Sequence, residues 1–162
     1  MNDVEGQGQP ERTRHLVEAM ESFGRQVSPQ LARSVQATVN LKIRIREDYG
    51  LLSDADVHRM LGLPGGAELP DLLALVYQGN VVFPGFQFER ARGAGELSTV
   101  RPFLVQVRAL AREVGCDDLD MITALTSPTT HLGEGRTLVD CLDDTDTDIL
   151  LAKLRSSLTL EW

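Results

Sequence analysis

The chain has 162 residues, of which 42% are hydrophobic and 25% are charged, as is typical of a globular protein. No apolar run approaches the roughly 20 residues that a membrane-spanning helix needs. The two cysteines, Cys116 and Cys141, are too few for a disulfide framework. These features argue against a membrane protein and a disulfide-stapled secreted domain, and they predict a cytoplasmic location.

The net charge of −8 is unevenly distributed along the chain. The first 50 residues carry seven basic and seven acidic side chains, so the whole acidic excess lies in residues 51–162. Such a surface disfavours nucleic acid as a partner of this part of the chain. It indicates either a cationic partner or simply a solvated acidic surface.

The first 50 residues predict a lead-in and two helices. Residues 1–12 are polar and predict a disordered lead-in, and residues 12–23 have helical apolar spacing. Ser28 and Pro29 resemble an N-cap and a first helical residue, and they predict a second helix that ends at Gly50. This helix is favoured over a strand at residues 41–46 because its apolar stripe continues through them. The stripe consists of Leu31, Val35, Val39 and Ile43.

Residues 13–90 are predicted to form one unit with the layout of a winged helix-turn-helix. Ser53, with an acidic residue three positions later, predicts a capping box and a helix that ends at Gly62. A second helix is predicted over residues 69–77. Residues 81–89 hold three of the five phenylalanines around a Pro-Gly pair, and they predict a small strand or a short β hairpin that buries its aromatic rings.

Residues 98–156 predict a second, helical unit, which follows a linker rich in glycine and arginine at residues 90–95. Residues 157–162 are predicted to form a separate C-terminal tail. Helices are predicted over residues 100–114, 119–125, 138–142 and 147–156.

Three segments stand in an order that is typical of one known architecture. Residues 49–62 read YGLLSDADVHRMLG, residues 82–89 read VFPGFQFE, and residues 128–144 read PTTHLGEGRTLVDCLDD. They resemble the GLLS-AEV--LLG, FPAFQFD and PN-WLGG-RPVDLLDD segments of antitoxins of the Xre/ParS type. The resemblance covers about residues 30–156.

The resemblance implies a mostly α-helical protein. A helix-turn-helix-like N-terminal unit with a short β hairpin would be followed by a small helical toxin-binding domain. Antitoxins of this family neutralise RES-type toxins, which consume NAD, or ParT-type toxins by covering the active site. The family also implies a homodimer without a cofactor. The residues that would contact the toxin are His131, Leu132, Arg136, Asp140, Leu158, Leu160 and Trp162.

The helix-turn-helix of this family often binds the operon's own promoter, but here the charges for DNA binding are missing. No lysine or arginine lies between Met60 and Glu89, and the predicted recognition helix carries Glu68 and Asp71. Carboxylates there would repel the phosphate backbone. The alternative function is a stand-alone regulator of the same family without a toxin partner. The residues that could contact DNA phosphates, or form only a solvated helix face, are Lys42, Arg44 and Arg46.

The sequence contains no constellation that predicts an enzyme. Its three histidines are scattered and have no metal-ligand spacing to the cysteines, and Cys116 has no activating base nearby in sequence. The alternating apolar tail of Leu158, Leu160 and Trp162 could insert into a partner or dock on the protein's own core. Both interpretations of the tail stay open.

Overall fold

The computed structural model describes residues 28–89, 93, 96–129, 132–133 and 135–159. The chain divides into two compact units, Met1–Arg44 and Ile45–Trp162. The predicted lead-in at residues 1–12 and the predicted helix over residues 12–23 lie outside the described residues. Among the described residues, no helix combines the length and the apolar character needed to cross a bilayer.

The described part of the first unit belongs to helix α1 (Pro29–Tyr49), which begins where the sequence predicted. The Ser28 hydroxyl accepts a hydrogen bond from the Leu31 amide at 3.1 Å, as an N-cap does. The helix continues through residues 41–46, so the prediction of helix over strand is confirmed there. Leu31 is 47% exposed, and the rest of the predicted apolar stripe is half-buried: Val35, Val39 and Ile43.

The second unit contains a three-stranded antiparallel sheet with the order β1-β3-β2. Leu52 of β1 lies opposite Phe83, and Val76 of β2 lies opposite Val81. The strands are β1 (Leu51–Leu52), β2 (Leu75–Tyr77) and β3 (Asn80–Pro84).

Helix α2 (Asp54–Leu61) packs against β1 and β3 and carries the predicted caps. The Ser53 hydroxyl accepts from the Asp56 amide at 3.1 Å, and the Asp56 carboxylate accepts from the Ser53 amide at 3.2 Å. The predicted capping box is therefore confirmed. Gly62 ends the helix with a φ of 67°, the left-handed conformation that favours glycine.

The second helix predicted over residues 69–77 is wrong. Residues 62–84 are all described and contain no helix, and the chain reaches β2 through an irregular segment. The leucines that suggested a helical face are instead buried in an extended chain: Leu72, Leu73 and Leu75. The described residues thus combine helices with a small antiparallel sheet, without the second helix on which the helix-turn-helix prediction depended.

β2 and β3 are joined by a two-residue turn where the predicted helix was expected to end. Gln78 has a φ of 51° and Gly79 a φ of 79°. Two successive left-handed residues match the twist of a tight hairpin. Gly79 is therefore the second residue of a hairpin turn rather than a helix stop.

The phenylalanine-rich segment continues from β3 into a 3-10 turn (Gly85–Gln87) and then β4 (Phe88–Glu89). β4 pairs antiparallel with β5 (Thr99–Val100), which lies beyond the predicted linker. β3 and β4 do not pair with each other, so the prediction of a hairpin within residues 81–89 is wrong. The three rings of the segment are buried, as predicted. The predicted units at residues 13–90 and 98–156 thus meet within one sheet ladder of the second unit.

The Gln87 side chain is a buried clamp inside this segment. It is 1% exposed, its carbonyl accepts from the Leu73 amide at 2.7 Å, and its amide donates to the Leu73 carbonyl at 2.8 Å. The same amide group also donates to the Pro84 carbonyl at 3.2 Å. One side chain therefore supplies both backbone partners that a strand neighbour would give Leu73.

The C-terminal part of the second unit is a packed group of three helices, α3 (Phe103–Val114), α4 (Asp118–Thr126) and α5 (Thr147–Thr159). The helix predicted over residues 138–142 is a single 3-10 turn, Val139–Cys141. The fully buried side chains here include Val107, Met121, Ile122, Leu138 and Leu154.

α5 is longer than the predicted helix over residues 147–156. It continues to Thr159, and Leu158 is only 7% exposed. Residues 157–159 are therefore helix rather than tail, and Leu158 packs in the core.

His58 of α2 lies between two carbonyl oxygens. Its Nδ1 is 2.9 Å from the Asp54 carbonyl and its Nε2 is 2.8 Å from the Ala67 carbonyl. Both ring nitrogens can donate only when the imidazole is protonated. The Asp54 carbonyl and then the Ala67 carbonyl raise the pKa of His58, and burial opposes them.

Replacing Gln87 by leucine should lower the free energy of unfolding by about 2–4 kcal/mol, because the buried amide and carbonyl of Leu73 lose their partners. Urea unfolding followed by circular dichroism measures the change. Gln106 is exposed on α3, and Gln106→Leu is the matched control, expected to change stability by about 0.5 kcal/mol or less. If both variants lowered the free energy of unfolding by the same amount, the structural role assigned to the Gln87 hydrogen bonds would be contradicted.

The fold should also be pH-dependent through His58. Its folded pKa is raised above the ordinary value of 6.5, so its stabilising contribution is complete below that pH and falls as the pH rises through the folded pKa. We expect the Tm difference between the wild type and His58→Gln to be larger at pH 5.5 than at pH 8. An NMR titration that places the His58 pKa at or below 6.5 would refute this.

Candidate functional site

The three sequence segments that carry the resemblance meet in the second unit. The Tyr49 ring contacts the Phe86 ring edge-on, with the ring centroids 5.5 Å apart and an interplanar angle of 83°. The Tyr49 hydroxyl lies 3.5 Å from the Thr137 hydroxyl. Segments that are almost 90 positions apart in the sequence thus surround one residue at the end of α1.

Gly85 allows the phenylalanine-rich segment to approach the end of α1. Its amide donates to the Gly50 carbonyl at 3.0 Å. A Cβ atom at this position would lie 2.2 Å from the Tyr49 carbonyl oxygen, which is backbone and cannot swing away. A side chain at this position would therefore force the segment away from the end of α1.

Arg101 connects the second segment to the third. Its Nε donates to the Phe86 carbonyl at 3.0 Å, and its Nη1 donates to the Asp143 carboxylate at 2.6 Å. The Arg101 amide also donates to the Gln87 carbonyl at 2.8 Å. Since the guanidinium is only 20% exposed, it is held in place on the wall of the site.

These segments enclose a cleft of about 530 Å³, referred to below as the Tyr49 cleft. Among the described residues of its lining, aromatic side chains lie beside three carboxylates and one guanidinium. A volume of this size is typical of a binding cleft, and the carboxylate excess favours a positively charged occupant. The lining includes Asp48, Tyr49, Phe88, Glu89, Arg101 and Asp143.

Asp140 and Arg136, two of the predicted toxin contacts, are engaged within their own loop. The Asp140 carboxylate accepts from the Thr137 amide and hydroxyl, both at 2.8 Å, and so caps the 3-10 turn. Arg136 pairs with Asp144 at 3.0 Å, and this carboxylate raises the pKa of the guanidinium. Both side chains are exposed enough to contact a partner while keeping these roles.

The other predicted toxin contacts separate into two groups. Leu132 is half-buried, and Leu158 is buried in the helical core, so Leu158 is not part of an exposed tail as the sequence suggested. The remaining three lie outside the described residues: His131, Leu160 and Trp162.

Of the predicted phosphate contacts, Arg46 is already held by an aromatic ring. Its Nη1 donates to the Tyr77 hydroxyl at 2.9 Å, and its guanidinium carbon lies 5.9 Å from the ring centroid. Lys42 is half-buried and Arg44 is exposed on the part of α1 that belongs to the first unit.

Asp71, predicted to repel DNA, has a structural function. Its carboxylate pairs with Arg108 at 2.7 Å and also with Arg112, and Arg108 pairs in turn with Asp118. Hydrogen bonding to Arg108 holds the pKa of Asp71 below its usual range. These ion pairs fasten the irregular segment before β2 to α3 and α4.

The surroundings of Cys116 disfavour a reactive thiolate. Burial, with Asp120 and Asp117 nearby, raises the pKa of the Cys116 thiol, which opposes formation of a nucleophilic thiolate. Within the part of the chain that the structure describes, no group of three histidine, cysteine or acidic side chains could hold a metal ion.

Comparison with protein-family models, with curated proteins and with solved structures gives no match for this chain. The likeness to the antitoxin family therefore rests on the three segments themselves. Tyr49, Gly50 and Gly85 belong to those segments, so the sequence pointed to these three residues of the site. Asp48 and Arg101 were missed, since no local pattern distinguishes them from other surface charges.

Replacing Gly85 by alanine should lower the free energy of unfolding by about 1–3 kcal/mol, because the new methyl group overlaps the Tyr49 carbonyl. Gly65→Ala is the matched control. A Cβ at Gly65 meets nothing within 4 Å, so this variant should leave stability unchanged or raise it by about 0.4–1 kcal/mol. A Gly85→Ala variant as stable as Gly65→Ala in urea unfolding would contradict the close approach.

Proposed function

We propose that this protein is an antitoxin-like binding protein that neutralises a RES-type or ParT-type toxin by covering its active site, without catalysis of its own. The observation that supports this most is the meeting of three separated segments around the Tyr49 cleft. Those segments are the ones that resemble the antitoxin family. As in that family, we expect a homodimer in the cytoplasm and no cofactor.

The geometry favours this function over the alternative of a stand-alone DNA-binding regulator. The segment between α2 and β2 is not a helix that could enter the major groove, and it carries no cation. Arg46 is engaged by Tyr77, and Asp71 by arginines of the protein's own helices. A protein that binds a promoter needs unpaired hydrogen-bond donors at such positions, so that they can contact bases and phosphates.

The packing of Leu158 changes how the C-terminal residues should be tested. A deletion that includes Leu158 would remove a core side chain and destabilise α5. A deletion of residues 160–162 removes Leu160 and Trp162, both predicted toxin contacts, and leaves Leu158 in place.

The test is co-expression with the RES-like or ParT-like protein encoded by the adjacent reading frame. We expect the full chain to copurify with that protein and to restore growth of cells that express it. Deleting residues 160–162 should weaken the rescue by tenfold or more, as loss of a tryptophan hot spot does. The deletion variant must keep the circular dichroism spectrum and Tm of the full chain.

Failure of the full chain to copurify or to restore growth, or an adjacent frame that encodes neither type of toxin, would contradict the proposal. Promoter binding that falls steeply with salt, without toxin binding, would favour the regulator instead.

A further inference from the structure

We propose that the Tyr49 cleft receives an arginine side chain of the partner protein. The cleft's affinity for a guanidinium follows from its own residues. Only the assignment of that guanidinium to the neutralised toxin rests on the function proposed above.

The charges of the cleft are unbalanced in favour of a cation. Asp48, Glu89 and Asp143 line it, and Arg101 is the only basic residue among the described residues of its lining. Arg101 is committed to Asp143 and to the Phe86 carbonyl. Within the described residues, neither Asp48 nor Glu89 has an ion-pair partner, so two exposed carboxylates remain for a ligand.

The position of Asp48 gives a second, independent reason. It lies in the last turn of α1, where the helix dipole concentrates partial negative charge. This partial charge repels the Asp48 carboxylate. A cation bound there would be attracted by both the carboxylate and the helix terminus. The next residue, Tyr49, is held by a T-shaped contact with the Phe86 ring.

The aromatic component favours guanidinium over ammonium. Tyr49, Phe86 and Phe88 line the cleft, but Phe86 and Phe88 are buried, so the half-buried Tyr49 is the ring that a ligand can reach. A guanidinium can stack on an aromatic ring while its planar edge pairs with a carboxylate, whereas an ammonium group acts as a hydrated point charge. The cleft also exceeds the size of a single side chain, so an arginine could enter with its flanking backbone.

The direct experiment is an NMR titration of the ¹⁵N-labelled full chain with Nα-acetyl-L-arginine N-methylamide. We expect saturable shifts of the Asp48, Tyr49, Phe88 and Glu89 amides, with a Kd on the order of 1–10 mM. The citrulline analogue has the same shape without the charge. It should shift these amides at least fivefold more weakly at equal concentration.

The double variant Asp48→Asn, Glu89→Gln should raise the Kd of the arginine amide about five- to tenfold, because each exposed ion pair contributes modestly. Glu68→Gln removes an exposed carboxylate outside the cleft and is the matched control, with an unchanged Kd expected. Asp143 is left intact because its loss would free Arg101 to repel the ligand.

Equal shifts with the citrulline analogue, no shifts at the cleft amides, or an unchanged Kd in the double variant would overturn the inference. The two proposals fail separately. A chain that still neutralises its toxin but ignores the arginine amide retains only the antitoxin function. A chain that binds the amide at the cleft but never copurifies with a toxin retains only the guanidinium site.

Discussion

The buried pairing between the Gln87 side chain and the backbone of Leu73 is the constraint on which the second unit depends. Leu73 is fully buried in an irregular segment, so its amide and carbonyl would be costly without partners. Gln87 provides both, and it stands in the 3-10 turn that separates β3 from β4. The phenylalanine-rich run is therefore a packing feature built around a polar residue, whose amide fixes where the preceding chain must lie.

This constraint explains why residues 69–77 do not form the predicted second helix. Once Gln87 and Asp118 hold the amides of Leu73 and Ala74, these residues cannot form helical hydrogen bonds. The carboxylate of Asp71 then meets Arg108 at 2.7 Å, so charges that would repel DNA instead bind the segment to α3. The missing helix and the pairing of Asp71 with arginine are thus parts of one packing arrangement.

Local signals predicted most helices, and non-local contacts decided the rest. The Ser53 capping box and the Ser28-Pro29 start depend on neighbours within four residues, so the sequence suffices for them. The segment over residues 69–77 failed because its leucines are buried by partners far along the chain. For the same reason Tyr49 and Phe86 were recognisable as motif residues, while Arg101 gains its role only from carbonyl and carboxylate groups 15 and 42 positions away.

Most of the acidic side chains in the described residues have a structural role, and a few have none. Asp56, Asp117 and Asp140 cap helical turns, and other carboxylates pair with arginines: Asp71, Glu113, Asp118, Asp143 and Asp144. Asp48 and Glu89 fall in neither group among the described residues, and both line the Tyr49 cleft. Asp48 also lies in the last turn of α1, where the helix dipole makes a carboxylate slightly unfavourable, so a bound cation would relieve a cost that folding leaves in place.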